Sequence, residues 1–417
     1  MSTTDGISID AATVDRQIET LAAISEAPAP VVTRVLFSEA DLAARRQIDA
    51  WCREAGLTVR TDAAGNGFAR WTGADPALPP VATGSHIDAI PNAGRFDGVV
   101  GVVGALGAIR GLQRAGFQPR RSIELITFTA EEPTRFGLGC LGSRLLGGAL
   151  DPATAGALAD RDGRTFDDWR AGAGCWSSLE TVPLEPGAYQ AFVELHIEQG
   201  PLLERDGLDI GAVEKIAAPA ALRVRLEGVG GHAGAVLMPD RHDALLAGAE
   251  ITLAVERAAF GTGSPDTVGT TGVFRVAPGA INSVPSFVEL EIDLRDTNLS
   301  TRETVRGVIE NAVAEICTRR GVRAAVETIN ADPPAACDPA IVETILRHAQ
   351  AVGLGGTRMI SRAYHDTLFI ARICPVGMIF IPCRGGVSHR PDEFASSEAI
   401  HHGVSVLAGV LAELASK

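Results

Sequence analysis

The sequence predicts an α/β protein that is interrupted by a smaller α+β domain. Apolar, β-rich runs alternate with segments of helical periodicity, which is typical of a layered α/β architecture. The chain has 417 residues, of which 46% are hydrophobic and 21% charged. A single hydrophobic core stops growing at roughly 250 to 300 residues, so two domains are expected.

The elements of the larger domain follow in order along the chain. Short apolar runs between turn residues predict buried strands, and longer periodic segments predict helices. The small residues of 98–115 indicate a helix that packs closely against a sheet. The predicted elements are helices at 11–27, 39–55, 98–115 and about 397–415, and strands at 122–130, 191–197 and 376–382.

From about residue 216 the pattern changes to strand, helix, strand, strand, helix, strand. This order is the split β-α-β pattern of a compact sheet covered by two helices. The expected strands are 221–228, 267–276, 285–295 and 322–329, and the expected helices are 241–258 and 301–320. The predicted organisation is a discontinuous larger domain, 1–214 and 334–417, interrupted by an inserted domain at 215–333.

Charge and composition exclude several kinds of partner. The formal net charge of −14 repels polyanions, so neither nucleic acid nor an anionic membrane is expected to bind. No apolar run approaches the roughly 20 residues of a membrane span, and the N-terminus is polar and acidic without a signal-peptide pattern. A cytoplasmic location is therefore expected. The cysteines form no C-x-x-C pair, which leaves metal ligation to histidines and carboxylates.

The segment TGSHIDAIPNAGRFDG, residues 83–98, places polar residues in a loop after a predicted strand. Such strand ends are where open α/β sheets bind ligands. Asp88 can accept a hydrogen bond from the second ring nitrogen of His86, which would orient that ring for a metal. Asp97 lies in a turn just before the 98–115 helix. A single histidine is more often structural, so His86 alone leaves both interpretations open.

Further strand ends carry the same residue types. Glu131 and Glu132 follow the strand at 122–130, His196 lies at the end of the strand at 191–197, and His389 lies in the loop after 376–382. Two solvated loop charges are the simpler explanation of the glutamate pair. Alternatively, one glutamate binds metal and the other is a general base. Because the pattern recurs at separate strand ends, the sequence favours a two-metal hydrolytic site.

These residues lie in segments that resemble one enzyme family. The resemblance is to the amidohydrolase branch of the dinuclear aminoacylase and carboxypeptidase superfamily, which comprises allantoate amidohydrolases, N-carbamoyl-L-amino acid hydrolases and ureidoglycolate amidohydrolases. The segments are GSHIDAIPNAGRFDG, TAEEPTRFG, ELHIEQGPLLE, GGHAGAVLMPDRHDA, INSVPSFVELEIDLRD and GGVSHRPDEF. The stretch ISRAYHDTLFIARICPVGMIFIPCRGGVSHRPDEF is most similar to the ureidoglycolate amidohydrolases.

The resemblance implies a phosphorylase/hydrolase-like α/β/α catalytic domain with an inserted ferredoxin-like lid and dimerisation domain. It implies two divalent metal ions, manganese above all, whereas the ligand types alone would also allow zinc, cobalt or nickel. His86 and His196 would each bind a different ion, bridged by Asp97. Glu132 would complete the site of His86, and His389 that of His196.

The remaining roles implied by the resemblance concern catalysis and substrate. Glu131 would be the general base, and Asp88 would orient His86. His232 would polarise the scissile carbonyl, reaching the active site of the other subunit of a homodimer. The substrate-binding residues would be Gln199, His232, Asn282, Arg295, Tyr364 and His365. Arg295 lies between Asp293 and Asp296 and could equally form an ion pair with one of these neighbours.

The activity implied is hydrolysis of a linear C–N bond in a small ureido acid, (S)-ureidoglycolate first, to glyoxylate, ammonia and carbon dioxide. Relatives that act on carbamoyl amino acids usually carry a Gln-x-Arg stretch where this chain has Pro219-Ala220-Ala221, which favours the smaller substrate. N-Carbamoyl-L-amino acid hydrolase and allantoate amidohydrolase are the alternatives within the class. A non-catalytic protein that binds a small acid is the alternative from another class.

Overall fold

The computed structural model of the chain describes residues 7–417, in two compact units. The first unit comprises the described chain up to Glu214, together with Ala336–Met359 and His365–Lys417. The second comprises Lys215–Ala335 and Ile360–Tyr364. These bounds lie close to the expected ones, except that 360–364 join the second unit.

The elements are as follows. The helices are α1 (Ala11–Ala23), α2 (Glu39–Glu54), α3 (Val99–Arg114), α4 (Leu141–Leu146), α5 (Pro152–Ala157), α6 (Phe166–Gly172), α7 (Leu202–Asp206), α8 (Ala244–Phe260), α9 (Leu299–Arg320), α10 (Pro339–Ala351), α11 (Thr367–Ile370) and α12 (Ser397–Ser416). The strands are β1 (Val32–Arg34), β2 (Thr58–Thr61), β3 (Gly67–Trp71), β4 (Val81–His86), β5 (Ala89–Ala93), β6 (Ile123–Phe128), β7 (Ala191–Ile197), β8 (Ile210–Ile216), β9 (Ala218–Glu227), β10 (Gly231–His232), β11 (Val268–Ala277), β12 (Ser283–Val284), β13 (Phe287–Asp296), β14 (Arg323–Ala331), β15 (Ala335–Ala336), β16 (Gly356–Ser361) and β17 (Val376–Ile381).

Helix α1 is shorter than the periodicity predicts. The pattern extends to residue 27, but the helix ends at Ala23. Pro28 and Pro30 follow, and proline lacks the amide hydrogen of a helix interior and disfavours helical geometry in the residue before it. The apolar residues after Ala23 therefore belong to a turn.

The large sheet of the first unit has its strands in the order β15-β8-β17-β7-β4-β6-β3-β2. Its centre is parallel: β17 pairs with β7, β7 with β4, and β4 with β6. These strands are buried along their whole length, as expected for parallel strands covered on both faces. Since parallel strands end at the same edge, the residues that follow β4, β6, β7 and β17 come together.

Helix α3 packs against this sheet as its small residues predict. A Cβ atom at Gly101 would lie 2.5 Å from the Leu195 carbonyl oxygen, and one at Gly104 would lie 2.8 Å from the Leu195 side chain. Helix α12 lies beside α3. By length and composition α12 could cross a membrane, but 72% of its apolar window is buried inside the protein. This burial is that of a core helix.

The second unit has the predicted order of elements. Strands β11, β13, β9 and β14 form an antiparallel sheet in that order, and helices α8 and α9 pack on it. The apolar residues that alternate along β9 and β13 meet those of the two helices in one core. The opposite face carries paired charges, including Arg223 with Glu291 at 2.9 Å and Arg225 with Glu289 at 3.1 Å.

Candidate metal centre and active site

A cluster of histidines and carboxylates lies at the carboxyl edge of the parallel strands. His86 is the last residue of β4, His196 lies near the end of β7, Glu131 and Glu132 follow β6, and His389 follows β17. Asp97 precedes α3. Four of the cluster's side chains, those of His86, His196, Glu131 and Glu132, are buried, and Asp97 is 9% exposed. The shared edge therefore assembles residues that are far apart in sequence.

Asp97 joins two groups of metal-ligand type. Its Oδ1 lies 3.1 Å from His196 Nε2 and 3.6 Å from His86 Nε2. Its Oδ2 lies 3.3 Å from His389 Nε2, and the same imidazole nitrogen lies 3.2 Å from Glu132 Oε1. The two groups are His86, Asp97 and His196, and Asp97, Glu132 and His389. One carboxylate thus presents a different oxygen to each group.

This pairing corrects the one expected from the sequence. His86 and His196 face the same oxygen of Asp97 and belong to one group, whereas Glu132 belongs with His389. Glu131 is the glutamate near His86, with 3.8 Å between Oε2 and Nε2. The two glutamate side chains thus point to different members of the cluster, Glu131 to His86 and Glu132 to His389.

Asp88 accepts the second ring N–H of His86, but with a different oxygen from the one expected. The Nδ1–H of His86 donates to the backbone carbonyl of Asp88 at 3.0 Å, while the carboxylate is 3.6 Å away. The Asp88 carboxylate instead accepts hydrogen bonds from the amides of Glu131, at 3.3 Å, and Glu132, at 3.0 Å. Asp88 therefore orients His86 through its backbone and both glutamates through its side chain.

The hydrogen bonds of the histidines suit metal binding. His196 Nδ1–H donates to the Ile197 carbonyl at 2.9 Å, as His86 does to Asp88, and the Gly98 amide donates to His196 Nε2 at 3.2 Å. Both rings are therefore anchored through Nδ1 and turn Nε2 towards Asp97. Metal-bound histidines are held in this way, and neutral imidazole with carboxylate is a donor set for divalent cations such as Zn²⁺ and Mn²⁺.

The electrostatics of the cluster also fit a cation. Burial would raise the pKa of Asp97, but hydrogen bonds from His196, His389 and His86 hold it well below the usual value. Hydrogen bonds to Asp97 and Glu132 raise the pKa of His389 to about 11. The histidines thus neutralise the charge of the buried carboxylates. A bound divalent cation would neutralise the same charge.

Glu131 is buried and is not a member of either group. Burial raises the pKa of its carboxyl well above the usual value; Glu132, Asp366 and Asp97 add to this effect, and His86 opposes it. The thiol of Cys140 lies 3.7 Å from Oε1. A carboxyl with a raised pKa beside two ligand groups is suited to accept a proton from water.

The sequence interpretation missed two residues that support Asp97. Ser388 Oγ lies 2.7 Å from Asp97 Oδ2 and 2.9 Å from a carboxyl oxygen of Glu393. Since a hydroxyl has one hydrogen, one of these contacts requires a proton on a carboxyl group, and burial raises the pKa of Glu393 to about 7. The signal available was proximity in sequence, because Ser388 precedes His389 and Glu393 follows it in SHRPDEF.

Two predicted substrate residues lie at this cluster. Gln199 Nε2 donates to Asp97 Oδ2 at 2.7 Å, so Gln199 lies at the edge of the cluster as expected. His365 is only 2% exposed, and its ring centroid is 4.5 Å from that of His196 and 5.7 Å from that of Phe380. His365 therefore packs against His196, and its expected part in substrate binding stays a prediction.

Comparison with known proteins identifies the family. The family model described as peptidase family M20/M25/M40 matches residues 82–413. The chain belongs to this family. This agrees with the resemblance seen in the sequence, and enzymes of family M20 use divalent metals.

Two relatives of this family-M20 chain are plant enzymes. It is 52% identical over 415 residues to the ureidoglycolate hydrolase of Arabidopsis thaliana, covering 98% of this chain and 87% of the relative. It is 51% identical over 411 residues to the ureidoglycolate hydrolase of Oryza sativa subsp. japonica, covering 97% and 85%. The crystal structure of AtUAH in complex with glyoxylate matches with a TM-score of 0.93 and 50% identity, covering 100% of both chains.

The other predicted substrate residues of this M20 protein lie in the second unit. His232 and Asn282 are neighbours, because β10 pairs with β12 and the Ala233 amide donates to the Asn282 carbonyl at 2.8 Å. Arg295 pairs with both carboxylate oxygens of Asp293 at 2.8 Å, and its guanidinium lies 5.6 Å from the ring centre of Tyr364. The local pairing considered for Arg295 is therefore present, with Asp293 as its partner.

Gly98 offers a test of how tightly this M20 site is packed. Its φ is +65°, and a Cβ atom would lie 2.5 Å from the His86 ring. We expect Gly98→Ala to destabilise the protein by about 1–3 kcal/mol and to weaken Mn²⁺ binding, because the methyl group displaces His86. Urea unfolding and Mn²⁺ titration measure the two effects.

Gly116→Ala is the matched control for this substitution. Gly116 has a φ of +72° with nothing within 4 Å of an added Cβ atom, so it incurs the backbone cost without the collision. Equal Mn²⁺ affinities for the two variants would contradict the expected displacement of His86.

Proposed function

We propose that this chain is a metal-dependent amidohydrolase that converts (S)-ureidoglycolate to glyoxylate, ammonia and carbon dioxide. The observation that carries the proposal is the pair of ligand groups sharing Asp97 beside the buried Glu131. The 52% identity to a ureidoglycolate hydrolase over nearly the whole chain supports the choice of substrate. Hydrolysis of an unreactive ureido group requires an activated water and a stabilised anionic intermediate.

We assign two divalent ions, manganese above all, to the two groups. One would be held by His86, Asp97 and His196, and the other by Asp97, Glu132 and His389. Bound divalent ions lower the pKa of water and stabilise negative charge that develops on a carbonyl oxygen. The carbonyl-anchored Nδ1 atoms of His86 and His196 support this assignment.

Glu131 acts as the general base in this scheme. It accepts a proton from the attacking water and passes it to the departing nitrogen. The Asp88 carboxylate accepts hydrogen bonds from the amides of Glu131 and Glu132, so one side chain positions the backbone of both the base and the ligand. Burial of Glu131 excludes bulk water and keeps its affinity for a proton high.

We assign recognition of the substrate to residues of the second unit and to Gln199. Arg295 presents a planar fork suited to a carboxylate, so a substrate carboxylate would share this fork with Asp293. Tyr364 lies beside this guanidinium, with its ring centre 5.6 Å away. His232 and Asn282, which the β10–β12 pairing brings together, would donate to the scissile carbonyl oxygen.

Comparing the rates of ammonia release tests the substrate assignment. The Mn²⁺-reconstituted enzyme is given ureidoglycolate, allantoate and several N-carbamoyl-L-amino acids. We expect kcat/KM to be highest for ureidoglycolate. A preference for allantoate or a carbamoyl amino acid would reassign the substrate, and binding without ammonia release from any of them would indicate a non-catalytic protein. The cytoplasmic location stays a prediction.

We further propose a homodimer formed through the second unit. Strand β11 is an edge strand, and α8, which packs beside it, exposes Leu246, Leu253 and Phe260 at 42%, 52% and 80%. These residues recur every seven positions and form one apolar stripe. An edge strand next to an apolar stripe favours pairing with a second copy.

Substitution within this stripe should dissociate the dimer. We expect Leu253→Asp to shift the protein from dimer to monomer in sedimentation velocity, because a charge would be buried in the interface. Val308→Asp is the control, since Val308 is 50% exposed on α9. A Leu253→Asp variant that sediments like the wild-type dimer would exclude α8 from the interface.

A further inference from the structure

We propose that Glu393 is a positioning residue that selectively maintains the metal site of Asp97, Glu132 and His389. The inference rests on the metal-binding function proposed above and adds a residue to it. Glu393 lies in SHRPDEF, four residues after His389, and is 4% exposed. It connects this loop to the turn that carries Asp97, nearly 300 residues earlier in the chain.

The first contact of Glu393 is with the backbone before α3. Its Oε1 accepts hydrogen bonds from the amide of Phe96, at 2.8 Å, and from the amide of Asp97, at 3.1 Å. Asp97 begins the turn into α3, where amides lack partners within the helix. Glu393 therefore fixes the backbone from which the shared carboxylate projects.

The second contact reaches the Asp97 side chain through Ser388. Glu393 Oε2 lies 2.9 Å from Ser388 Oγ, which lies 2.7 Å from Asp97 Oδ2. This oxygen of Asp97 is the one that faces His389 at 3.3 Å. The next residue after Ser388 is His389, whose φ is +59°, an unfavourable conformation that its surroundings must hold. Glu393 thus supports Asp97 and the turn of His389 together.

The other group has supports of its own. His86 on β4 and His196 on β7 are held by hydrogen bonds to the carbonyls of Asp88 and Ile197. Neither bond involves Glu393 or the loop after β17. Loss of Glu393 should therefore weaken the His389 site first and affect the His86 and His196 site only through Asp97.

The position of Glu393 is sterically restricted. A Cβ atom at Gly94 would lie 2.4 Å from the Cβ atom of Glu393, so the two segments are in direct contact. The Glu393 side chain therefore has little room to turn towards other partners.

The hydrogen-bond pattern indicates which substitutions at Glu393 test whether these hydrogen bonds maintain the metal site. Glu393→Gln keeps an oxygen to accept from the two amides, and its NH₂ can donate to Ser388 as a protonated carboxyl would. Glu393→Leu removes both interactions at similar volume. A role based on these hydrogen bonds thus predicts loss in Glu393→Leu and rescue in Glu393→Gln.

Calorimetric titration of the metal-free protein with Mn²⁺ alone tests the proposal, with metal content measured after gel filtration. We expect two sites in the wild type. In Glu393→Leu we expect one retained site and one weakened about 10- to 100-fold, as for other residues that support metal ligands. Glu393→Gln should retain both sites.

Glu198→Leu is the control for Glu393→Leu. Glu198 also accepts hydrogen bonds from two backbone amides, those of Leu202 and Leu203 at 2.8 Å, but these amides do not belong to the turn of Asp97. Glu198→Leu should therefore retain both metal sites.

The outcomes separate this inference from the proposed function. Two unchanged sites in Glu393→Leu, or equal losses in Glu393→Leu and Glu393→Gln, overturn the inference alone. A wild type that binds no Mn²⁺ overturns the metal centre and the inference together. If Glu393→Leu does not fold, Ser388→Ala severs the link to Asp97 and should weaken the same single site; two unchanged sites there would overturn the inference.

Discussion

Replacing Glu131 by glutamine should lower kcat for ureidoglycolate by about 10²- to 10⁴-fold, the usual contribution of a general base. The amide cannot accept a proton from water. Glu131 belongs to neither ligand group, so metal content should remain that of the wild type. Ammonia release gives kcat, and elemental analysis gives the metal content.

Glu132→Gln is the natural comparison for Glu131→Gln. Glu132 lies 3.2 Å from His389 and is a member of a ligand group, so its substitution should reduce metal content and activity together. A Glu131→Gln enzyme with wild-type turnover would exclude Glu131 as the base. Loss of metal in Glu131→Gln would instead make it a ligand.

Asp97→Asn should abolish binding at both metal sites and with it the activity. Asp97 presents Oδ1 to His86 and His196 and Oδ2 to His389, so one substitution reaches both groups. An amide is neutral and places an NH₂ group where an oxygen ligand is needed. We expect Mn²⁺ affinity to fall by more than about 100-fold at both sites, beyond the usual effect of residues that only support ligands.

The Asp97→Asn variant is compared with a substitution of a residue that belongs to only one of the two ligand groups. His389→Ala removes a member of the Glu132 group only and should leave one Mn²⁺ ion bound. Asp97→Asn should leave none in the same titration. If Asp97→Asn retained one tightly bound ion, Asp97 would serve a single metal and would not bridge the pair.

Several features of the site could be predicted from sequence because they depend on local patterns. The buried strands of the centre are apolar runs that end in polar residues, so the positions of His86, Glu131, Glu132 and His196 follow from where each run stops. Parallel strands end at one edge, which is why these residues were expected together. The small residues after Asp97 likewise predict the helix that follows it.

Other features depend on side-chain directions that one sequence does not reveal. The sequence interpretation assigned Glu132 to His86, whereas the fold pairs Glu132 with His389 and turns Glu131 towards His86. The contact between Asp88 and His86 also differs, because the hydrogen bond at 3.0 Å is to the backbone carbonyl of Asp88 and its carboxylate is 3.6 Å away. Such differences are set by backbone dihedral angles in loops.

The sequence by itself determined the class of protein, the two-part organisation, and the residue types that converge at the strand ends. Only the tertiary structure decided which residues share an oxygen of Asp97, that His365 is buried against His196, and that Glu393 and Ser388 hold Asp97 in place. The physical reason is the separation along the chain between the residues that interact. Strands and helices follow from hydrophobic periodicity over a few neighbouring residues, whereas a contact of about 3 Å between segments hundreds of residues apart requires the packed fold that brings them together.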